Sequence, residues 1–284
     1  MTTLKHLICC SGSLVLCASL TSAFQAPAVR LSAEPEKNAI VLHEPVYMNV
    51  TVTNEFDEEV RGSFRSDTLQ LLIRQQAGVP VRVTERRSSR ELTGGITPDG
   101  NNDVVWKMGL RPRETYRMKI LLNEYFSFPS AGNYSIEIRT PTNFSLSSSK
   151  SLTAQPSVLS LEVKARDESR LQTIATTLTA SVLSSSQSKE TRIADAHALS
   201  YIEDPIAIPF FRRVLQETTD SQTRIYMIEG LARVQSAEAV EALISSLSNP
   251  NLSVRSYTRA ILQRRLASTS DENLSKPIRE ALNQ

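Results

Sequence analysis

The chain has 284 residues, of which 40% are hydrophobic and 22% charged, with a formal net charge of +2 at neutral pH. This composition is that of a folded protein with one or two domains, and it excludes an intrinsically disordered chain. Because the net charge is close to zero, no long-range field favours nucleic acid, an anionic membrane surface or a strongly acidic substrate. We therefore expect no nucleic-acid partner.

Residues 1–23 differ from the rest of the sequence. A run of apolar and small residues over 7–20 is followed by Thr21 and Ala23, whose small side chains suit a signal peptidase. This layout predicts a secretory signal peptide cleaved after Ala23, and hence a periplasmic or secreted protein with no stable membrane insertion. An uncleaved membrane anchor and a lipoprotein modified at Cys17 are the alternatives.

All three cysteines, Cys9, Cys10 and Cys17, lie in this segment. After cleavage the protein would have no cysteine, which excludes disulfides, thiolate nucleophiles and cysteine metal sites. An exported protein without disulfides is typical of a bacterial cell envelope.

Over residues 24–165 the apolar residues recur at every second position in short runs, as in strands with one buried face. Those runs are 29–31, 40–42, 46–52, 69–73, 79–83, 104–108, 116–122, 134–138 and 159–163. Eight or nine strands without intervening helix predict an antiparallel β-sandwich of two sheets.

Two segments of this half resemble bacterial immunoglobulin-like domains. Glu44-Pro45-Val46 opens an alternating strand that ends at Asn54, and Gly132-Asn133-Tyr134 opens another. The resemblance implies an immunoglobulin-like sandwich.

The polar, glycine-containing stretch over residues 86–103 predicts a loop. It is either a disordered connection or a recognition loop on the sandwich edge. The strand around Trp106 is faintly similar to small bacterial proteinase-inhibitor sandwiches, although Trp106 itself is expected to pack in the core. The alternative function is therefore modulation or inhibition of an extracytoplasmic hydrolase through the 86–103 loop.

The second half, over residues 166–284, contains an internal repeat. Segments 191–199, 223–231 and 254–262 align without gaps, at displacements of 32 and 31 residues. Apolar residues at helical spacing, and small residues such as Gly230 at close contacts, predict two helices in each of about three units. With a helix from Asp167 to about Ser184 and another from about Asp271 to Leu282, we expect about seven helices.

These units resemble the HEAT repeat family, particularly the short bacterial repeats of the phycobilisome-lyase type. The residues that carry the resemblance are Arg192, Arg224 and Arg255, each followed by a helix of small residues, a turn and a second apolar helix. The resemblance implies an α-α solenoid whose surface binds a protein partner. These arginines are our candidate binding residues, although in this family such an arginine commonly ties adjacent repeats together, and Asp220 could serve Arg224 in that way.

The residues after the signal segment show no pattern of catalysis. Their two histidines, His43 and His197, do not lie at metal-ligand spacing, and His197 is expected to pack within its helix. Neither a nucleophile elbow nor a phosphate-binding or dinucleotide-binding glycine motif is present. We therefore expect a protein that is not an enzyme and has no cofactor, metal or catalytic residue.

The favoured interpretation is an exported protein-binding scaffold that uses the surface of the repeats, with a protein partner that the sequence does not identify. Three repeats are close to the minimum for a stable stack, so we expect the sandwich to cap the first helix through residues 164–167.

Overall fold

A computed structural model of the chain describes five stretches, which are residues 28–64, 69–75, 107–140, 144–148 and 151–283. Strands come first and helices second, with the last strand ending at Lys164 and the first helix beginning at Glu168. The predicted signal segment, the 79–83 run, Trp106 and the 86–103 loop lie outside the described residues.

Eleven strands, numbered in chain order, lie in the described residues. Their bounds are β1 Val29–Pro35, β2 Ala39–Val41, β3 Tyr47–Asn54, β4 Val60–Phe64, β5 Gln70–Gln75, β6 Lys107–Leu110, β7 Thr115–Leu121, β8 Gly132–Arg139, β9 Phe144–Leu146, β10 Ser151–Leu152 and β11 Ser157–Lys164. They form three hydrogen-bonded sheets, of strand order β1-β3-β7, β10-β9-β4-β6 and β2-β11-β8-β5. We call this part the β-domain.

One hydrophobic core is shared by the three sheets. In β3, Met48, Val50 and Val52 are fully buried, whereas Asn49 between them is exposed. Successive strand residues point to opposite faces of a sheet, so every second side chain enters the core. β8 and β11 alternate in the same way, and the period-two runs predicted for these three strands are confirmed.

β4 and β9 are absent from the predicted strands. They pair with each other, with Val60 opposite Leu146. Gly62 of β4 lies against the ring of Phe144, too close for any Cβ at this position. Because a glycine replaces the apolar side chain at this close contact, the strand shows no period-two pattern.

The prediction of a wholly antiparallel sandwich of two sheets is wrong for β2. This strand runs parallel to β11, with Ile40 opposite Val163. Arg30 of β1 also forms a parallel bridge, to Gln155 just before β11. The chain from β1 to β2 therefore runs alongside the β11 segment in one direction, leaving the first sheet and joining the third.

Seven α-helices, again numbered in chain order, follow the strands. Their bounds are α1 Glu168–Leu183, α2 Lys189–Leu199, α3 Ile208–Glu217, α4 Ser221–Arg233, α5 Ala237–Ser245, α6 Leu252–Ser268 and α7 Glu272–Leu282. Within residues 151–283 this number agrees with the prediction, as do the positions of α1 and α7.

The helices pack in two layers. α2, α4 and α6 lie side by side in what we call the first-helix layer, and α1, α3, α5 and α7 form the second-helix layer. A single hydrophobic core lies between the layers. Phe211 of α3 packs on Gly230 of α4, where a Cβ would lie 2.8 Å from the ring. The small residue predicted at this close contact is therefore required by the packing.

Two arginines join consecutive helices of the first-helix layer. Arg233 of α4 donates from Nη1 to the carbonyl of Ser200, the C-cap of α2, at 2.9 Å. Arg265 of α6 donates from Nη2 to the carbonyl of Val234, the C-cap of α4, at 3.1 Å. Carbonyls at a helix C-terminus lack intrahelical donors and carry partial negative charge, so each guanidinium satisfies the end of the preceding helix.

A buried ion pair joins the β-domain to the helices. Glu44, in the turn after β2, is fully buried and accepts a hydrogen bond from Lys37 Nζ at 2.7 Å. Arg170 Nη2 of α1 donates to its Oε1 at 3.1 Å and lies 2.8 Å from its Oε2. The other bond to Glu44 comes from the backbone N–H of Val41 at 3.0 Å. Val41 belongs to the β-domain but packs in the helical core. The β-domain therefore contacts the first helix, but through β2 and the turn after it, whereas the prediction placed this contact at residues 164–167.

A second ion pair holds the link between the two parts. Arg166 contacts both carboxylate oxygens of Asp204, at 2.6 and 3.0 Å. Asp204 is also the N-cap of a 3-10 turn at Pro205–Ala207, in which its side chain accepts from the backbone N–H of Ile206. Burial alone would raise the pKa of Asp204, but these hydrogen bonds and the charge of Arg166 outweigh it and hold the pKa below its ordinary value.

Replacing Arg265 by methionine should lower the free energy of unfolding by about 1–3 kcal/mol, because buried carbonyls at the end of α4 lose their donor. Arg265 is only 7% exposed, and burial lowers its pKa. The matched control is Arg264→Met at the exposed neighbouring position, where a surface change should stay within about 0.5 kcal/mol. Urea denaturation measures both variants, and equal losses would contradict the role of Arg265.

Lowering the pH should weaken the ion pair between Arg166 and Asp204. A carboxyl with a lowered pKa in the folded state stabilises the fold above its unfolded pKa of about 3.9, and this contribution disappears as the pH falls through the folded value. Asp204→Asn should therefore lower stability at neutral pH and flatten its dependence between about pH 5 and pH 2. Urea titrations at several pH values test this, with Glu280→Gln on the exposed face of α7 as control. Equal pH slopes for wild type and Asp204→Asn would contradict it.

Candidate partner-binding surface

The first-helix layer repeats one N-terminal arrangement three times. Ser188, Asp220 and Asn251 are the N-caps of α2, α4 and α6, and each side chain accepts from the backbone N–H three residues later. Such caps fix the residue at which each helix begins. The residues at the fourth helical position are then the candidate arginines Arg192, Arg224 and Arg255.

The N-terminal ends of these helices lie along one edge of the layer. Asn251 Nδ2 donates to Ser221 Oγ at 2.6 Å, which joins the start of α6 to the start of α4. At the opposite end, Arg233 reaches the end of α2, so α2 and α4 run in the same direction. A helical Cα–Cβ bond tilts towards the helix N-terminus. The three arginines therefore lean towards this edge, which we call the arginine edge.

The expected pairing of Arg224 with Asp220 is wrong. The Asp220 carboxylate accepts from the backbone N–H of Thr223 at 2.7 Å, as the N-cap of α4. Arg224 Nη1 instead lies 3.4 Å from Asn249 Oδ1, in the turn before α6. Arg255 Nη1 donates to the backbone carbonyl of the same Asn249 at 2.7 Å. Both arginines thus contact the turn between α5 and α6, and neither contacts an acid among the described residues.

The side chain of Arg192 makes no hydrogen bond or ion pair within the described part of the chain. Its Nε is buried without an acceptor there, as is the Nε of Arg224. Arg224 of α4 thus reaches the turn before the next first helix, whereas Arg255 contacts the turn directly before its own helix.

A second row of side chains crosses the layer towards its middle. The rings of His197 in α2 and Tyr226 in α4 lie 4.7 Å apart between centroids. One repeat later, Glu229 of α4 accepts from the hydroxyl of Tyr257 in α6 at 2.8 Å. We call these four residues the aromatic row. Sequence reasoning does not single out Tyr226, Glu229 or Tyr257, although the recurrence of tyrosine at one repeat position is a signal that points to two of them.

The aromatic row reaches the β-domain through Glu124, whose Oε1 lies 3.0 Å from His197 Nε2. Beside it, the Tyr47 hydroxyl donates to the carbonyl of Ala194 at 3.0 Å. Burial, together with the carboxylates of Asp195 and Glu124, raises the pKa of Tyr47, so its hydroxyl stays protonated as a donor. His197 packs as expected, but against the β-domain as well as within the helices.

The described residues contain no group of three or more His, Cys, Asp or Glu side chains that could hold a metal ion. His43 lies in the turn after β2, with a left-handed backbone at φ 70°. Among the helices that the structure describes, none combines the length and apolar character needed to cross a bilayer.

Three solved structures are similar to part of the chain. A CARDB domain from Pyrococcus furiosus, solved in complex with two metal ions, is 10% identical and covers 49% of this chain and 96% of its own, with a TM-score of 0.27. The sporulation control protein Spo0M of Bacillus subtilis is 14% identical over 53% of this chain and 55% of its own, with a TM-score of 0.25. A cohesin module of a Clostridium perfringens glycoside hydrolase is 7% identical over 49% of this chain and 100% of its own, with a TM-score of 0.23. At these TM-scores, none assigns a fold or a function to the chain.

Among curated proteins, none matches the sequence. A family model described as HEAT repeats matches residues 176–262, from within α1 to within α6. HEAT repeats build surfaces on which proteins bind one another. The helical half of the chain is therefore similar to HEAT repeats and, by that similarity, to protein-interaction scaffolds.

Proposed function

We propose that the protein is an exported, non-enzymatic scaffold that binds a protein partner on its first-helix layer. The match to HEAT repeats over residues 176–262 carries this proposal. Such repeats stack as a solenoid, in which each unit contacts its neighbours and the row of units presents an extended surface. The β-domain, which we take to be immunoglobulin-like, holds the first end of that solenoid.

The side chains of the first-helix layer support the choice of this face. In its aromatic row Tyr257 reaches the surface, whereas Tyr226 is buried, as is Tyr201, over whose ring Arg233 stacks with its Cζ 4.0 Å from the centroid. Tyrosine and arginine are enriched in protein interfaces because they offer large contact areas together with hydrogen bonds. Tyr257 is partly exposed, so part of this row is open to a partner.

The contacts at the junction support a platform of fixed shape. Glu44 binds Arg170, Arg166 binds Asp204 and Glu124 contacts His197. A surface held in one geometry before binding loses less conformational entropy on association. The β-domain would then orient the first-helix layer for its partner.

Site-directed photo-crosslinking in the native cell tests the proposal. A photo-reactive residue at Ser256, exposed on α6 of the first-helix layer, should crosslink to one discrete protein. The matched position is Glu241, exposed on α5 of the second-helix layer, which should give no such product. Absence of a discrete product from Ser256, or the same product from both positions, would contradict the proposed binding face.

Export is tested separately. The N-terminus of the purified mature protein, read by mass spectrometry, should be Phe24, and the protein should fractionate with the periplasm or the medium. A full-length chain that stays in the cytoplasm would contradict this part of the proposal, while a lipid-modified Cys17 would replace cleavage after Ala23 by the lipoprotein alternative.

A further inference from the structure

We propose that the arginine edge is a docking groove for an extended segment of the partner protein that carries an acidic side chain at every third residue. This inference rests on the proposed function, since it names the chemistry of the partner that the scaffold binds.

The arginine edge carries a row of positive charges. Arg192, Arg224 and Arg255 recur at one helical position in three successive helices, and none is paired with an acid among the described residues. Three like charges in a row repel one another unless something neutralises them. In a protein of near-zero net charge, this is a local feature and not a general attraction for polyanions.

The acids nearest in sequence are not bonded to these arginines. Asp195, three residues after Arg192, accepts from the hydroxyl of Ser181. Asp220 is the N-cap of α4, and its carboxylate receives the N–H of Thr223. Glu190 lies in the first turn of α2, where its own backbone N–H and the hydroxyl of Ser188 lower the pKa of its carboxyl. The carboxylates of Asp220 and Glu190 are thus engaged with the helix starts and not with the arginines.

The guanidinium groups of the arginine edge make few hydrogen bonds within the described residues. Arg192 has no acceptor in the described residues, and Arg224 has one acceptor at 3.4 Å, at the limit of a hydrogen bond. A guanidinium has five N–H donors in a planar fork that matches a carboxylate at two points. Because the unpartnered Nε of both arginines is buried, the outer Nη groups are the donors that a carboxylate of the ligand would meet.

Backbone N–H groups of the helix starts also lie at the arginine edge. The N–H groups at the first helical turns of α2, α4 and α6 open towards it, and in each helix the N-cap side chain occupies the N–H of the third position. The remaining N–H groups and the positive end of each helix dipole favour an anion. The start of α6, whose N-cap Asn251 is uncharged, therefore adds to the positive charge of the edge, whereas Glu190 and Asp220 already compensate the starts of α2 and α4.

The spacing of the ligand follows from the spacing of the helices. Neighbouring packed helices lie about 8–10 Å apart. An extended segment in the polyproline II conformation rises about 3.1 Å per residue with three residues per turn, so every third side chain lies on the same face. A carboxylate that meets one arginine is therefore followed by the next about three residues later. Glutamate or aspartate in the pattern acid-x-x-acid-x-x-acid fits the edge, whereas three adjacent acids reach one arginine at a time.

Fluorescence anisotropy on the full chain tests this pattern. The probe is a labelled peptide with three glutamates, one at every third position of a serine and glycine background. The comparison peptide has the same composition with its three glutamates adjacent. We expect the spaced peptide to bind at least about tenfold more tightly, because it can form three charge-assisted contacts at once. Equal affinities of the two peptides would overturn the proposal.

Substitution of the arginines gives the second arm. Arg192→Gln should weaken binding of the spaced peptide about three- to tenfold, and the triple Gln variant should abolish it. Arg213→Gln removes the same charge from the exposed face of α3, where the side chain pairs only with Glu217 among the described residues, and should leave binding unchanged. An equal loss from Arg213→Gln and Arg192→Gln would show general charge attraction and overturn the proposal.

The unfolding midpoint and competition by RNA are two further measurements on the same protein. Because the side chain of Arg192 makes no hydrogen bond in the described residues, Arg192→Gln should retain the wild-type unfolding midpoint. Its affinity then remains interpretable if the triple variant does not fold. An RNA oligonucleotide with three phosphates should not compete with the spaced peptide, and equal competition would overturn an acidic protein segment as the occupant. If Ser256 crosslinks to a partner but the peptide does not bind, only this inference is contradicted. If the peptide binds but Ser256 gives no crosslink, the proposed binding face is contradicted.

Discussion

The buried carboxylate of Glu44 is the interaction on which the arrangement of the two halves depends. A charge removed from water must be paired and fully hydrogen-bonded, since an unpaired buried charge costs several kcal/mol. Glu44 meets this requirement with Lys37, Arg170 and the N–H of Val41. The turn after β2 is thereby held against α1. Since α1 packs on α2 and α3, its position determines where the rest of the helices begin.

Local patterns predict those elements whose burial repeats along the chain. β3, β8 and β11 bury every second residue, and the first helices recur at 31 or 32 residues, so both are visible without a structure. β4 is not visible, because its Gly62 makes room for Phe144 from a distant strand. The pairing of Glu44 with Arg170 spans 126 residues, and no local pattern connects two such positions. The direction of β2 is likewise set by β11, which lies far along the chain.

In the candidate site too, positions follow from local patterns whereas long-range contacts do not. The positions of Arg192, Arg224 and Arg255 follow from the repeat, but their partners do not. Asp220 has one carboxylate, and the helix start uses it because the N–H of Thr223 is three residues away and already aligned. Competition between a local cap and a more distant ion pair cannot be read from residue types alone. Tyr226 and Tyr257 occupy one repeat position, yet their neighbours His197 and Glu229 differ, so the shared contact geometry appears only in three dimensions.

Val41 has a consequence for how the two halves respond to each other. Its backbone pairs in the β-domain with β11, while its side chain packs in the helical core. Unfolding either half therefore exposes apolar surface of the other, which couples the stabilities of the two halves. Any molecule that binds only the folded helices then protects the strands as well, by mass action on the shared equilibrium. A sequence change in β2, outside the proposed binding surface, would in turn alter the apparent affinity of the repeats.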